Sequence, residues 1–150
     1  MADLALVSIA DQIGLTAADP VGLVVPPCLF LAENVSGQAP NSVIDIDGGH
    51  ACWLAPNRVL AVTQTPPAGF VSDVTHGQAV FTLDDTVVAR FIGMGCTLPP
   101  DALAPGRCAQ TLFAGVKVLL YRRGGLIHLH IDRPLAAWLL AWFRQARTAF

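Results

Sequence analysis

Histidine and cysteine are the residues whose types and spacing offer chemistry. His128-x-His130, in a stretch of alternating pattern, puts two rings on one face of a strand, an arrangement a zinc site can use. His50-Ala51-Cys52 offers a second pair, suited to a metal or to a Cys/His nucleophile. The surroundings support neither. Asp132 is the one acid close to the two histidines, and no cysteine lies at a ligand spacing from them. The four cysteines, at 28, 52, 96 and 108, show no C-x-x-C pairing and sit in apolar contexts, where buried reduced thiols are the rule. Gly48-Gly49 and Gly124-Gly125 lack the lysine and the following helix of a phosphate cradle and read as turns. The sequence therefore points to no catalytic, cofactor-binding or metal-ligating residue in this chain.

Arg107, Gln110 and Thr111 are the polar residues that stand out, at the start of a strand. They satisfy backbone groups there, the usual use of such side chains, or they face a partner, where a guanidinium grips carboxylates or carbonyls. With Trp138 and Trp142 they form the expected interface set.

The elements that position these residues follow from periodicity. Asp84-Asp85-Thr86 starts a helix whose stripe is Val87, Val88, Phe91 and Ile92, with Gly93 and Gly95 ending it. Pro99-Pro100 and Pro105-Gly106 make a connection. Strands follow over 109–113, 115–121 and 126–131, the last two joined at Arg123-Gly124-Gly125. In the last strand Ile127, Leu129 and Ile131 face a core. Leu126, His128 and His130 face the other way, and that face is expected to be half-exposed or covered by another chain. Upstream, strands are expected at 43–46, 51–54, 58–62 and 77–83, an extended segment at Gly22 to Leu31 kinked by Pro26-Pro27, and a loop from Glu33 to Ser42. Residues 1 to 20 hold either a short helix carrying Leu4, Leu6, Val7 and Ile9 ahead of Asp11 and Gly14, or an arm ordered only against a partner. The final helix opens at Pro134 and carries Leu135, Trp138, Leu139, Trp142, Phe143 and Ala146 on one side. Ala136, Ala137, Leu140 and Ala141 make the opposite side apolar too, as in a helix covered twice. Strand runs interleaved with helices give an α+β fold with antiparallel, β-rich halves each closed by a helix.

Composition adds a reason to expect a partner. The 150 residues are 53% hydrophobic and 13% charged, with one lysine and one glutamate; mean hydropathy is +0.54. That is about half the usual charged fraction of a soluble domain, so a permanent partner covering part of the surface is expected. A net charge of −2 leaves no basic footprint for nucleic acid. The longest apolar uncharged run, 20–32, is too short to span a membrane. The start, Met1-Ala2-Asp3-Leu4, lacks a secretory pattern, so a cytoplasmic location is expected.

Three motifs carry a family resemblance: Asp73-Val74-Thr75-His76-Gly77, Gly95-Cys96-Thr97-Leu98, and Pro105-Gly106-Arg107-Cys108-Ala109-Gln110-Thr111. Together they resemble the gamma subunit of heterotetrameric sarcosine oxidase. Trp53-Leu54-Ala55-Pro56-Asn57-Arg58-Val59-Leu60 is similar to a segment of the same family and of the wider folate-binding aminomethyltransferases. The resemblance spans about residues 43 to 146. It divides the single domain, 1–150, into a poorly matched arm or extended segment, 1–42, and a folate-binding-type part, 43–148. The family's aspartate-leucine after Gly-Cys-x-Leu is Pro99-Pro100 here, and the serine opening its last helix is replaced by Arg133-Pro134. The resemblance implies a non-catalytic subunit packed on a large alpha subunit, with beta and delta subunits as further partners. FAD, FMN, NAD and tetrahydrofolate are then bound by partners and not by this chain. Two related readings are a subunit of an N-methylglutamate dehydrogenase and a folate-binding domain acting alone. The last needs a buried carboxylate in a shaped pocket, and the eleven acids lie mostly beside turns or at helix starts. A self-associating scaffold is a third possibility.

Overall fold

The computed structural model describes residues 8–150. Two antiparallel five-stranded sheets pack face to face. The first contains, in spatial order, β1 (Gly22–Val24), β7 (Gln78–Leu83), β10 (Leu126–Asp132), β9 (Val116–Arg123) and β8 (Cys108–Phe113). The second contains β3 (Val43–Ile46), β4 (Gly49–Ala55), β5 (Arg58–Thr63), β2 (Leu29–Glu33) and β6 (Phe70–Asp73). The α-helices are α1 (Ile9–Ile13), α2 (Val88–Gly95) and α3 (Ala136–Arg147). The α+β class with antiparallel β-rich halves stands, as do the expected strands to within two residues at each end. All three helices lie with the first sheet: Ile9 and Ile13 of α1, Phe91 of α2 and Phe143 of α3 belong to one apolar cluster with Phe81, Leu83, Leu120, Ile127, Leu129 and Ile131.

Hairpin chemistry sets the register of the first sheet. Gly124 and Gly125 both have positive φ, 59° and 77°, as a two-residue turn matched to strand twist requires. That turn pairs Arg123 with Leu126 and hence Tyr121 with His128. One side of the sheet then meets the helices. The other side, with Leu119 and Tyr121, meets Leu29, Cys52, Leu60 and Val62 of the second sheet.

Several local expectations change. The face of β10 bearing His128 and His130 packs on the chain's own second sheet: Leu126 and His128 stay half-exposed, in line with one alternative, while His130 is 2% exposed and covered without another chain. The 22–33 segment is two strands, and its prolines are the crossover that hands the chain from one sheet to the other. Gly93 and Gly95 do not stop α2 by left-handed geometry, since neither has positive φ. Gly95 is small because the Phe113 ring lies against it; an added Cβ would sit 2.4 Å from two ring carbons. α1 begins at Ile9 with Ser8 as N-cap and Gly14, φ 74°, after its end; the expected contributions of Leu4, Leu6 and Val7 lie outside the described residues. In α3 the buried positions are Ala136, Leu139, Leu140, Phe143 and Ala146, while Ala137, Trp138 and Ala141 face outward. Both flanks of the stripe are apolar, so periodicity leaves the helix rotation open. Arg144 and Arg147 fix it by reaching Asp19 and the carbonyl of Ala18.

Candidate functional site

The polar residues the two sheets bring together form a chain of hydrogen bonds between them. His50 Nε2 lies 2.9 Å from Tyr121 Oη, Tyr121 Oη 2.8 Å from His130 Nε2, and His130 Nδ1 3.0 Å from Gln78 Oε1. An amide oxygen only accepts, so His130 Nδ1 donates to it and Nε2 presents its lone pair. Tyr121 donates to that nitrogen and accepts from His50 Nε2–H. His128 stacks on the Tyr121 ring, 5.2 Å between centroids and 20° between planes.

The electrostatics hold this relay neutral. Burial drives the His130 imidazole down to about 3. Burial, with Arg123 and His128 nearby, takes His50 to about 4, and burial also lowers His128. Burial pushes the Tyr121 hydroxyl well above its ordinary range. No member is poised to exchange a proton near neutrality, which general acid–base work demands. What the relay does chemically is satisfy polar groups that would otherwise be costly between two sheets.

Beside it, Cys108 Sγ lies 3.4 Å from the Ser42 carbonyl and 3.5 Å from that of Trp53. Its hydrogen bond with Cys52, together with burial, pushes the Cys52 thiol up. All four cysteines are free, Cys52 and Cys108 buried and Cys28 and Cys96 half-buried; the same contact that raises Cys52 lowers Cys108, and a buried, protonated thiol such as that of Cys52 is a poor nucleophile. His50 and Cys52 both point between the sheets, but His50 is committed to Tyr121. Among the described residues no group of three or more His, Cys, Asp or Glu is placed to hold a metal. Gly48-Gly49 and Gly124-Gly125 sit in strand–strand turns, and a Cβ at Gly49 would fall 1.8 Å from the Val62 carbonyl oxygen. Gly49 thus serves close strand approach, while Gly48, Gly124 and Gly125 supply the positive φ of their turns.

The five interface candidates do not converge on one spot. Arg107 is exposed, at the corner where the segment before β3 is stitched to β8 by Val43 N to Gly106 O (2.9 Å) and Cys108 N to Asn41 O (2.8 Å). Gln110 is exposed and donates to the Leu54 carbonyl at 2.6 Å. Thr111 and Gln110 line an open cleft of about 430 Å3 between the sheets, walled by Leu54, Leu60, Leu119 and the relay's His130 and Gln78. Trp138 is 46% exposed on α3. Trp142 is half-buried in an aromatic cluster, 5.0 Å from Phe113 and 5.5 Å from Phe143.

No family model and no curated protein matches the chain. Among solved structures, a chain of the heterotetrameric sarcosine oxidase from Corynebacterium sp. U-96, in complex with pyrrole 2-carboxylate, superposes with a TM-score of 0.78 at 18% sequence identity, over 97% of this chain and 96% of that one. The two chains share one fold from end to end. At this identity fold similarity resides in the pattern of buried faces more than in particular side chains.

The residues that sequence reasoning missed are those of the relay. The signal was present: the chain's one tyrosine, in hairpin register, falls opposite His128 and on the same face as His130. His50 is 71 positions from Tyr121, and no local pattern connects them.

Proposed function

We propose that this chain is a non-catalytic subunit of a flavin-dependent complex of the sarcosine oxidase type, the gamma-like member that packs on and stabilises a large alpha-like subunit. The observation that carries the reading is the whole-chain match in fold to a chain of a heterotetrameric sarcosine oxidase. The low supply of charge supports it, as does a buried polar network that is internally satisfied and neutral. The complex would oxidatively demethylate sarcosine or a related N-methyl amino acid. FAD, FMN, NAD and tetrahydrofolate would reside in the alpha- and beta-like partners, and the complex would work in the cytoplasm. No described helix is long and apolar enough to cross a membrane.

The test is deletion of this chain in its native host. The expected result is loss of assembly of the flavin-bearing complex and of sarcosine-dependent turnover, both restored by the intact chain. Assembly and turnover unchanged by the deletion would overturn the proposal.

A further inference from the structure

Sheet edges and unpaired charges identify where such a partner would bind. β8 is an edge of the first sheet: it pairs with β9 on one side. On its other side the only pairing is at its start, where the 41–43 segment meets Gly106 to Cys108. From Gln110 to Phe113 that edge has no strand beside it among the described residues. A run of unpaired backbone N–H and C=O groups is a template for an added strand. Next to it lies the 430 Å3 cleft, with Leu54, Leu60 and Leu119 in its walls. Leu112, 58% exposed, stands at its lip.

The charges around this edge are distinctive. Among the described residues, Arg58, Arg122, Arg123 and Arg144 are in ion pairs, Arg133 and Arg147 donate to Gln12 and Ala18, and Arg90 covers the Phe150 ring. Among the described residues Arg107 and Lys117 are the two cations without an ion pair, side-chain hydrogen bond or ring contact; Arg107 directly precedes β8 and Lys117 sits beside it on β9. Lys117 is opposite Leu112 in register. Arg107 is five residues from Leu112, about 17 Å along a strand. Asp132 lines the far wall of the cleft and favours a donor there.

We infer that β8 accepts an extended segment of the partner subunit as a sixth strand of its sheet. The segment places an apolar side chain in the cleft and carboxylates about five residues apart on Lys117 and Arg107. This rests on the chain being a subunit. It goes further in naming the surface and the chemistry of its occupant.

Hydrogen exchange on the chain alone and in the complex purified from its native host tests this. The expected result is at least tenfold slower exchange for amides of 109–113 in the complex. A photo-crosslinker at Leu112 should join one partner segment containing Asp or Glu. R107E/K117E should weaken assembly at least tenfold while leaving the free chain's unfolding midpoint unchanged. A complex that forms with β8 exchange unaltered, or with protection confined to the Trp138 face of α3, overturns this inference and leaves the subunit reading intact. Absence of any complex overturns both. A small molecule that fills the cleft of the free chain while the complex leaves β8 unprotected also overturns it.

Discussion

Tyr121→Phe removes one oxygen and almost no volume, yet it should be among the costliest conservative changes in the molecule. The hydroxyl is the shared partner of two imidazoles, 2.9 Å from His50 Nε2 and 2.8 Å from His130 Nε2. Both rings are buried, and the tyrosine is 1% exposed. Without the oxygen, an N–H of His50 and a lone pair of His130 lose their partner between two sheets. At about 1–3 kcal/mol for each unsatisfied buried group, the loss comes to about 2–6 kcal/mol, a large share of the 5–15 kcal/mol typical of a domain. Urea unfolding at pH 7.5, followed by tryptophan fluorescence, measures it. The slope with urea should be unchanged and the midpoint lower. A loss under about 0.5 kcal/mol would show that the relay is not the satisfied, water-free network described here.

Acid should weaken the fold well before carboxylates protonate. His50 and His130 titrate at about 4 and about 3 in the folded state, against about 6.5 unfolded. The unfolded chain therefore binds protons first as pH falls. Stability is full above pH 6.5 and declines by about 1.4 kcal/mol per unit for each histidine, or about 4 kcal/mol in all between pH 7 and pH 5. A urea midpoint constant over that range would refute the burial of both rings. Gly95→Ala should cost about 1–3 kcal/mol by overpacking, because the Phe113 ring it meets is itself held by Trp142 and Phe143; calorimetry reads this directly. Asp19→Asn removes the charge-assisted pair with Arg144, 2.6 and 2.9 Å, whose guanidinium is partly in solvent. Limited proteolysis should then cut within residues 8–20 faster, with little change in the rest. The Arg144 contact holds the Asp19 carboxyl near 2, so this clasp should persist above pH 4 and be lost as pH falls towards 2.

The strand positions were legible because alternation is a local property. Ala79, Phe81 and Leu83 against Val80 and Thr82, or Ile127, Leu129 and Ile131 against the histidines, state which residues share a face. What covers each face is not local. The histidine face looked like a surface for another chain because its cover, β4 and β5, lies more than 60 residues upstream. β6 went unread for a different reason: Phe70–Asp73 follows Pro66-Pro67-Ala68-Gly69 and has an exposed, irregular pattern, so only its pairing with β2 makes it a strand. The rotation of α3 was hidden by apolar residues on both flanks and is decided by arginine contacts to the 14–19 segment. For the site, the motif at 105–111 overlaps β8, but the feature that makes β8 notable is its unpaired edge, a property of the sheet order.

The most direct test of the central claim is the mass of the native assembly. The chain, tagged at its own locus and purified under gentle conditions, should fly in native mass spectrometry as a heterotetramer. It should contain one copy of this chain with one large and two other partners, and the sample should show flavin absorption. A colourless monomer or homo-oligomer of this chain would contradict the account.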